Sequence, residues 1–252
     1  MIQKTFEVDG PPDIEVRIES GRVEVHRGEP GSVNVSVDTK TPDFIVEQRG
    51  NSILVSSEQT MSWLSRSSAY VVLETPEGAD LRVSAASADI RVDVPLEKVD
   101  LKTASGDIEL ESAETLEVKS ASGDVQIERV GRALSFSSAS GDLLVPGVVS
   151  GSIAISTASG NISIDDAEGN VAISTASGDT RLQRFTGRSA TFKSMSGSVD
   201  IAIPSRTEVS LDATLLSGRL RLPDPEPTQG DPVRQTSIRA KLVSGDLTIE
   251  RA

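Results

Sequence analysis

The chain has 252 residues, a formal net charge of −13, 37% hydrophobic and 3% aromatic residues, and no cysteine. That length and apolar fraction suffice for a buried core, and the excess of acid opposes non-specific binding to nucleic acid or anionic lipid. Without thiols there is no disulfide framework and no thiolate metal site.

The opening Met1-Ile2-Gln3-Lys4-Thr5-Phe6-Glu7 has no basic stretch followed by an apolar one, and no run approaches the ~20 apolar residues of a membrane span. The expectation is a cytoplasmic chain, surface- or envelope-associated only if a leader or anchor has been removed. Residues 1–83 read as an irregular β part that caps the repeats after it. Alternation at Ile14-Glu15-Val16-Arg17-Ile18, Val23-Glu24-Val25 and Val33-Asn34-Val35-Ser36-Val37 predicts half-buried strands. Ser20-Gly21-Arg22 matches Ser217-Gly218-Arg219, so the repeat is expected to begin here. Phe44 to Val46 and Ile53 to Val55 flank Gln48-Arg49-Gly50-Asn51 and read as a hairpin. His26, the one histidine, is expected to be an ordinary surface or loop side chain, with no nucleophile motif beside it. Trp63 is the candidate aromatic anchor for a partner, against the alternative that its loop packs over the N-terminal end.

From residue 84 to 252 the pattern becomes regular. Ser87-Ala88-Asp89 is followed by Ser-Gly-Asp or a close variant starting at Ser105, Ser122, Ser140, Ser159, Ser177, Ser196, Ser217 and Ser244, at intervals of 18, 17, 18, 19, 18, 19, 21 and 27. A fixed period of this kind signals a repeat architecture. Each repeat holds two short alternations, such as Ile162-Ser163-Ile164 with Val171-Ala172-Ile173, and no stretch keeps a helical period. The prediction is an all-β, single-stranded, β-helix-like solenoid with two strands per ~18-residue turn, turns stacking at ~4.8 Å. Residues 1–83 and 84–252 are expected to form one continuous domain.

The corner glycines are Gly106, Gly123, Gly141, Gly160, Gly178, Gly197, Gly218 and Gly245. They are expected at positive φ, with the adjoining Asp or Asn bonding a nearby backbone N–H. Counting back from each corner, Ile173 and Phe192 face inward, and the inward column shrinks to Ser or Thr beside the corner. The opposite parity places Ala158, Ala176, Met195, Leu216 and Val243 in an outward apolar stripe, the candidate interaction face. A polar column containing Lys193, Thr214 and Lys241 runs beside it. Asp165-Asp166 and Glu226 read as solvated loop charges. Residues 223–236, rich in Pro and acid, are expected to project as a loop, after which Ile238 to Ile249 resumes the pattern and closes the C-terminus.

These units resemble the bacterial adhesin-like family of β-strand repeat proteins grouped as toastrack domains, largely domains of unknown function. The resemblance rests on Phe6-Glu7-Val8-Asp9-Gly10, Ser20-Gly21-Arg22-Val23, the strand from Val72 to Pro76, Leu216-Ser217-Gly218-Arg219-Leu220 and Ser244-Gly245-Asp246-Leu247-Thr248-Ile249. It covers nearly the whole chain and implies a β-helix-like coil. Through its relatives it implies a link to cell-envelope stress systems or surface adhesion.

No catalytic, metal-binding or cofactor-binding residue is assigned, and no cofactor is expected. One Asp per turn, interrupted by Asn161, Ser198 and Arg219, points to turn chemistry rather than calcium. The leading expectation is a non-enzymatic scaffold or interaction module whose partner is an unidentified protein or envelope component. One alternative is a carbohydrate-active hydrolase, for which aromatic platforms are scarce. Another is a self-associating homo-oligomer joined through solenoid ends or the stripe.

Overall fold

The computed structural model describes residues 1–40, 44–57, 68–223 and 234–252. Trp63, Glu226 and most of the expected 223–236 loop lie outside them. The chain divides into two compact units, Met1–Val125 and Gln126–Ala252. Among the described residues both are built of strands, with no helix.

The first unit contains β1 (Ile2–Glu7), β2 (Asp13–Arg27), β3 (Ser32–Thr39), β4 (Phe44–Arg49), β5 (Ser52–Ser57), β6 (Ser68–Thr75), β7 (Asp80–Asp93), β8 (Leu96–Thr103) and β9 (Ile108–Ser120). Its start is antiparallel: β3 pairs with β1 and β6, and β4 pairs with β5, the hairpin read from the sequence. Long strands then cross from one ladder to another. β2 runs parallel to β5 through Asp13–Arg17, to β6 through Ser20–Arg27, and to β7 along both stretches. Ser20-Gly21-Arg22 lies in register with Ser87-Ala88-Asp89, so the repeat does reach back to β2. β8 and β9 extend the parallel pairing from β7.

The second unit holds β10 (Val125–Ser138) from its second residue on, β11 (Leu143–Val149), β12 (Ser152–Ser159), β13 (Ile162–Ala167), β14 (Val171–Ser177), β15 (Thr180–Phe185), β16 (Ser189–Ser196), β17 (Val199–Ile203), β18 (Thr207–Ser217), β19 (Leu220–Arg221), β20 (Arg234–Ser244) and β21 (Leu247–Arg251). Two parallel ladders take alternate strands. One runs β10–β12–β14–β16–β20–β18 and the other β11–β13–β15–β17–β21–β19. The order at the end corrects the sequence reading. β20 and β21 do not close the stack but slip between β16–β17 and β18–β19, leaving β18 and β19 outermost among the described residues.

The core follows the alternation. One inward column stacks Phe136, Ile155, Ile173, Phe192, Ala240 and Ala213 in successive strands. All but Ala213 are buried. A second inward column stacks Leu134, Ile153, Val171, Ala190 and Ile238, all buried, and each fully buried Phe, Ile, Leu or Val side chain stabilises by roughly 1.5–3 kcal/mol. Near the corner the next column is Thr157, Thr175 and Ser194, then Leu242 and Leu215. The hydroxyls of Thr157 and Thr175 donate to the carbonyls of Ser159 and Ser177 at 2.9 and 3.1 Å, closing the turn. Ser194 is buried without a hydrogen-bond partner, at the point where the column changes to leucine.

The corners stack as well. Gly178 has φ +130°, where an L side chain is strained, and a Cβ there would strike the carbonyl of Gly160. A second column, Gly151, Gly169 and Gly187, lies at the other end of the repeat. A Cβ on Gly169 would strike the Gly151 carbonyl, and one on Gly187 that of Gly169. These glycines have no positive φ, so close approach selects them, of backbone at all three and also of the Phe185 ring at Gly187.

Candidate interaction face

Three groups of side chains could carry a function, and each follows from the ladders. The first is the corner aspartates. Asp142 accepts the N–H of Asn161 at 2.7 Å, Asn161 that of Asp179 at 3.1 Å, and Asp179 that of Ser198 at 2.8 Å. Ser198 Oγ then accepts from Asp246 at 3.3 Å, and Asp246 from Arg219 at 2.9 Å. Each of these five acceptors thus receives the next corner's backbone N–H. Asp and Asn supply an acceptor that an Arg cannot, and among the described residues no further corner stacks on Arg219. Among the described residues no group of three or more His, Asp or Glu side chains is placed to hold a metal ion.

The second group lies on the outward face of the first unit. His26 sits inside β2, not in a loop, between Glu24 at 3.4 Å and Asp93 at 3.3 Å. Tyr70 Oη donates to Glu24 at 2.6 Å, and Arg91 bridges Asp93 and Glu109 at 3.0 and 3.1 Å. The Tyr70 hydrogen bond, followed by the His26 and Arg22 contacts, holds the Glu24 carboxyl below its usual range against the opposing effect of burial. The same bond pushes the Tyr70 phenol up. This network ties neighbouring strands together on an open sheet face, and nothing in it forms a nucleophile–base pair. Asp165 and Asp166, read as loop charges, lie in β13, and Asp166 pairs with Arg184 at 2.9 Å.

The third group is the outward stripe of the second unit. Ala158, Ala176, Met195, Leu216 and Val243 are all exposed, while Ile173 and Phe192 point inward. The insertion of β20 reorders the stripe. Ser194 pairs with Leu242 and Ser196 with Ser244, which sets Val243 beside Met195; Leu215 and Ser217 flank the same pairs, which sets Leu216 on its other side. Met195, Val243 and Leu216 therefore occupy successive strands about 4.8 Å apart, at 64%, 47% and 77% exposure. Chain order separates these side chains, and the ladder makes them one ridge. Lys193 and Lys241 flank it in register. Farther from the ladder's end the same face is a flat field of Ser and Ala with an open depression of about 290 Å3 lined by Ser137, Ala154, Ser174 and Lys193 among others.

The sequence pattern identified the stripe's members but not their order. It passed over the Gly151, Gly169 and Gly187 column, although an 18-residue spacing marks it. It also passed over the Tyr70–Glu24–His26 cluster, which no local pattern joins.

A family model described as Toastrack DUF4097 matches residues 12–250. Among solved structures, a candidate adhesin from Parabacteroides distasonis is 15% identical with a TM-score of 0.47, over 100% of this chain and 96% of that chain. One from Parabacteroides merdae is 13% identical with a TM-score of 0.46, over 100% and 95%. One from Bacteroides fragilis is 13% identical with a TM-score of 0.38, over 100% and 96%. No curated protein matches the chain.

Proposed function

This chain belongs to the Toastrack DUF4097 family, and from that premise we propose that it is a non-enzymatic interaction module that meets a protein partner through the Met195–Val243–Leu216 ridge. In this reading each repeat of about 18 residues is one turn of a β-solenoid with two strands. The turns form a rigid scaffold, and the scaffold's use is to hold an apolar surface in fixed order. The carrying observation is the ridge itself: three large apolar side chains, exposed and adjacent, on a chain whose other outward positions are mostly small or charged. Scattered exposed apolars are ordinary, whereas a contiguous patch marks a contact surface. Lys193 and Lys241 give the rim a positive charge on an otherwise acidic protein, which favours a partner with acidic residues around an apolar centre. The expected link to the cell envelope enters as the location of that partner.

The test is the Met195→Glu/Leu216→Glu double variant. It is expected to melt near the parent temperature, because neither side chain contributes to the core, and to lose the partner captured by the parent chain. A folded variant that keeps every partner would remove the ridge from the account. A variant that unfolds would mean these side chains contribute to the core.

A further inference from the structure

We propose that the second unit binds a second copy of this chain through the free edge of β18, forming an antiparallel strand-to-strand dimer. This contact is separate from the ridge, since backbone groups and uncovered core residues form it.

Among the described residues β18 pairs only with β20, and β19 only with β21. The cost is visible in the side chains. Ile238, Ala240 and Leu242 of β20 are buried, yet Leu211, Ala213 and Leu215, their register partners in β18, are only half-buried. Leu220 and Leu222, next along the chain, are exposed at 44% and 57%. The core is open at this end.

The backbone points the same way. Ser237 donates its N–H to Arg188, toward β16. Alternation along β20 then turns Ile238 and Ala240 toward β18, and the parallel register makes them meet Ser210, Asp212 and Thr214. Val209, Leu211 and Ala213 are left with N–H and C=O directed out of the edge. An edge of this length, without proline and without an inward-pointing charge, is a template for another strand. At the corner Arg219 donates to Asp246, and among the described residues nothing pairs with the other side of β19.

The occupant that fits is β18 itself. In an antiparallel pair centred on Leu211, the leucine faces its own copy, and Val209 faces Ala213 of the second copy, a larger residue against a smaller one. On the outward side Glu208 faces Thr214, and Ser210 faces Asp212, so no two carboxylates meet. Both acids are already held within the chain, Glu208 by Gln235 at 2.9 Å and Asp212 by Arg239 at 3.2 Å. The inward residues stay inward in this register, so each copy covers the other's open core. Such an isologous contact closes at two copies.

The test is sedimentation of the full chain over a concentration series, with hydrogen exchange on the same samples. The expected result is a monomer–dimer equilibrium in which the amides of Val209, Leu211 and Ala213 become protected as dimer forms. Ala213→Pro removes an edge N–H without taking a bond from β20, and Leu211→Lys puts a charge into the edge; each should weaken the dimer by about tenfold or more. Met195→Glu should leave it intact, which separates this contact from the ridge. A chain that stays monomeric throughout, or assemblies that keep growing past two copies, would overturn the proposal. So would a dimer in which these amides exchange freely. Should Ala213→Pro fail to fold, Leu211→Lys and the parent's exchange pattern decide alone.

Discussion

Asp179 accepts the backbone N–H of Ser198 on its Oδ1 at 2.8 Å. Asp142 and Asp246 make the same bond, and Asn161 and Ser198 make its neutral counterpart, so these side chains serve as rungs between repeats. A hydrogen bond to a charged acceptor contributes about 1.5–3 kcal/mol, less where water competes. Asp179→Ala should therefore lower stability by about 1–2 kcal/mol, and Asp179→Asn, which keeps an acceptor, by less. The midpoint of urea unfolding reads the difference. Equal midpoints for parent and alanine variant would show that the rung contributes nothing.

The two glycine columns separate backbone strain from close approach. Gly178→Ala meets both, a φ of +130° and the Gly160 carbonyl; Gly169→Ala meets only the Gly151 carbonyl, at an ordinary φ. Both variants should lose more than about 2 kcal/mol, because relieving either overlap means moving backbone of the neighbouring turn in a close-packed stack. If Gly169→Ala melts like the parent, the backbone at that corner has room for a Cβ and close approach does not select glycine there.

Glu24 gives a pH dependence with a defined sign. Its carboxyl is held low chiefly by Tyr70, with His26 and Arg22 adding to the effect. A folded value below the unfolded one means the folded state binds the proton less readily. The stabilisation is complete above the unfolded Glu value of about 4.3 and is lost as pH falls through the lower folded value. Tyr70→Phe removes the largest cause. In a carbon-detected titration the Glu24 midpoint should move up toward the ordinary range, and the acid limb of the stability curve should flatten. An unmoved midpoint would assign the shift elsewhere.

Much of this architecture was legible because the period-2 pattern and the corner tripeptide are both local. Parity counted from Ser177 and Ser196 puts Ile173 and Phe192 inside, and the structure places them there. The hairpin at Phe44 to Val55 and the outlying repeat at Ser20 were readable for the same reason. The order of the last strands was not. Intervals of 21 and 27 residues reach the next position whether β20 stacks outside β18 or inside it. In the structure Asp246 precedes Arg219 and accepts its N–H, but an arginine corner does not by itself mark an end, since Arg22 lies between β6 and β7. The Tyr70–Glu24–His26 cluster needs β6, β2 and β7 side by side, which is tertiary information. Gly151, Gly169 and Gly187 were hidden by their ordinary φ.

The central claim is that the Met195–Val243–Leu216 ridge, and not the protein's surface in general, meets the partner. The direct measurement places a photo-reactive residue at Val243 in one chain and at Arg181, outward on the other ladder, in a second, and compares the proteins crosslinked to each in cells. The account predicts a protein captured from Val243, absent from Arg181, and lost when Met195 and Leu216 are both changed to Glu. The same proteins from both positions, or capture from Val243 that survives the double change, would contradict it.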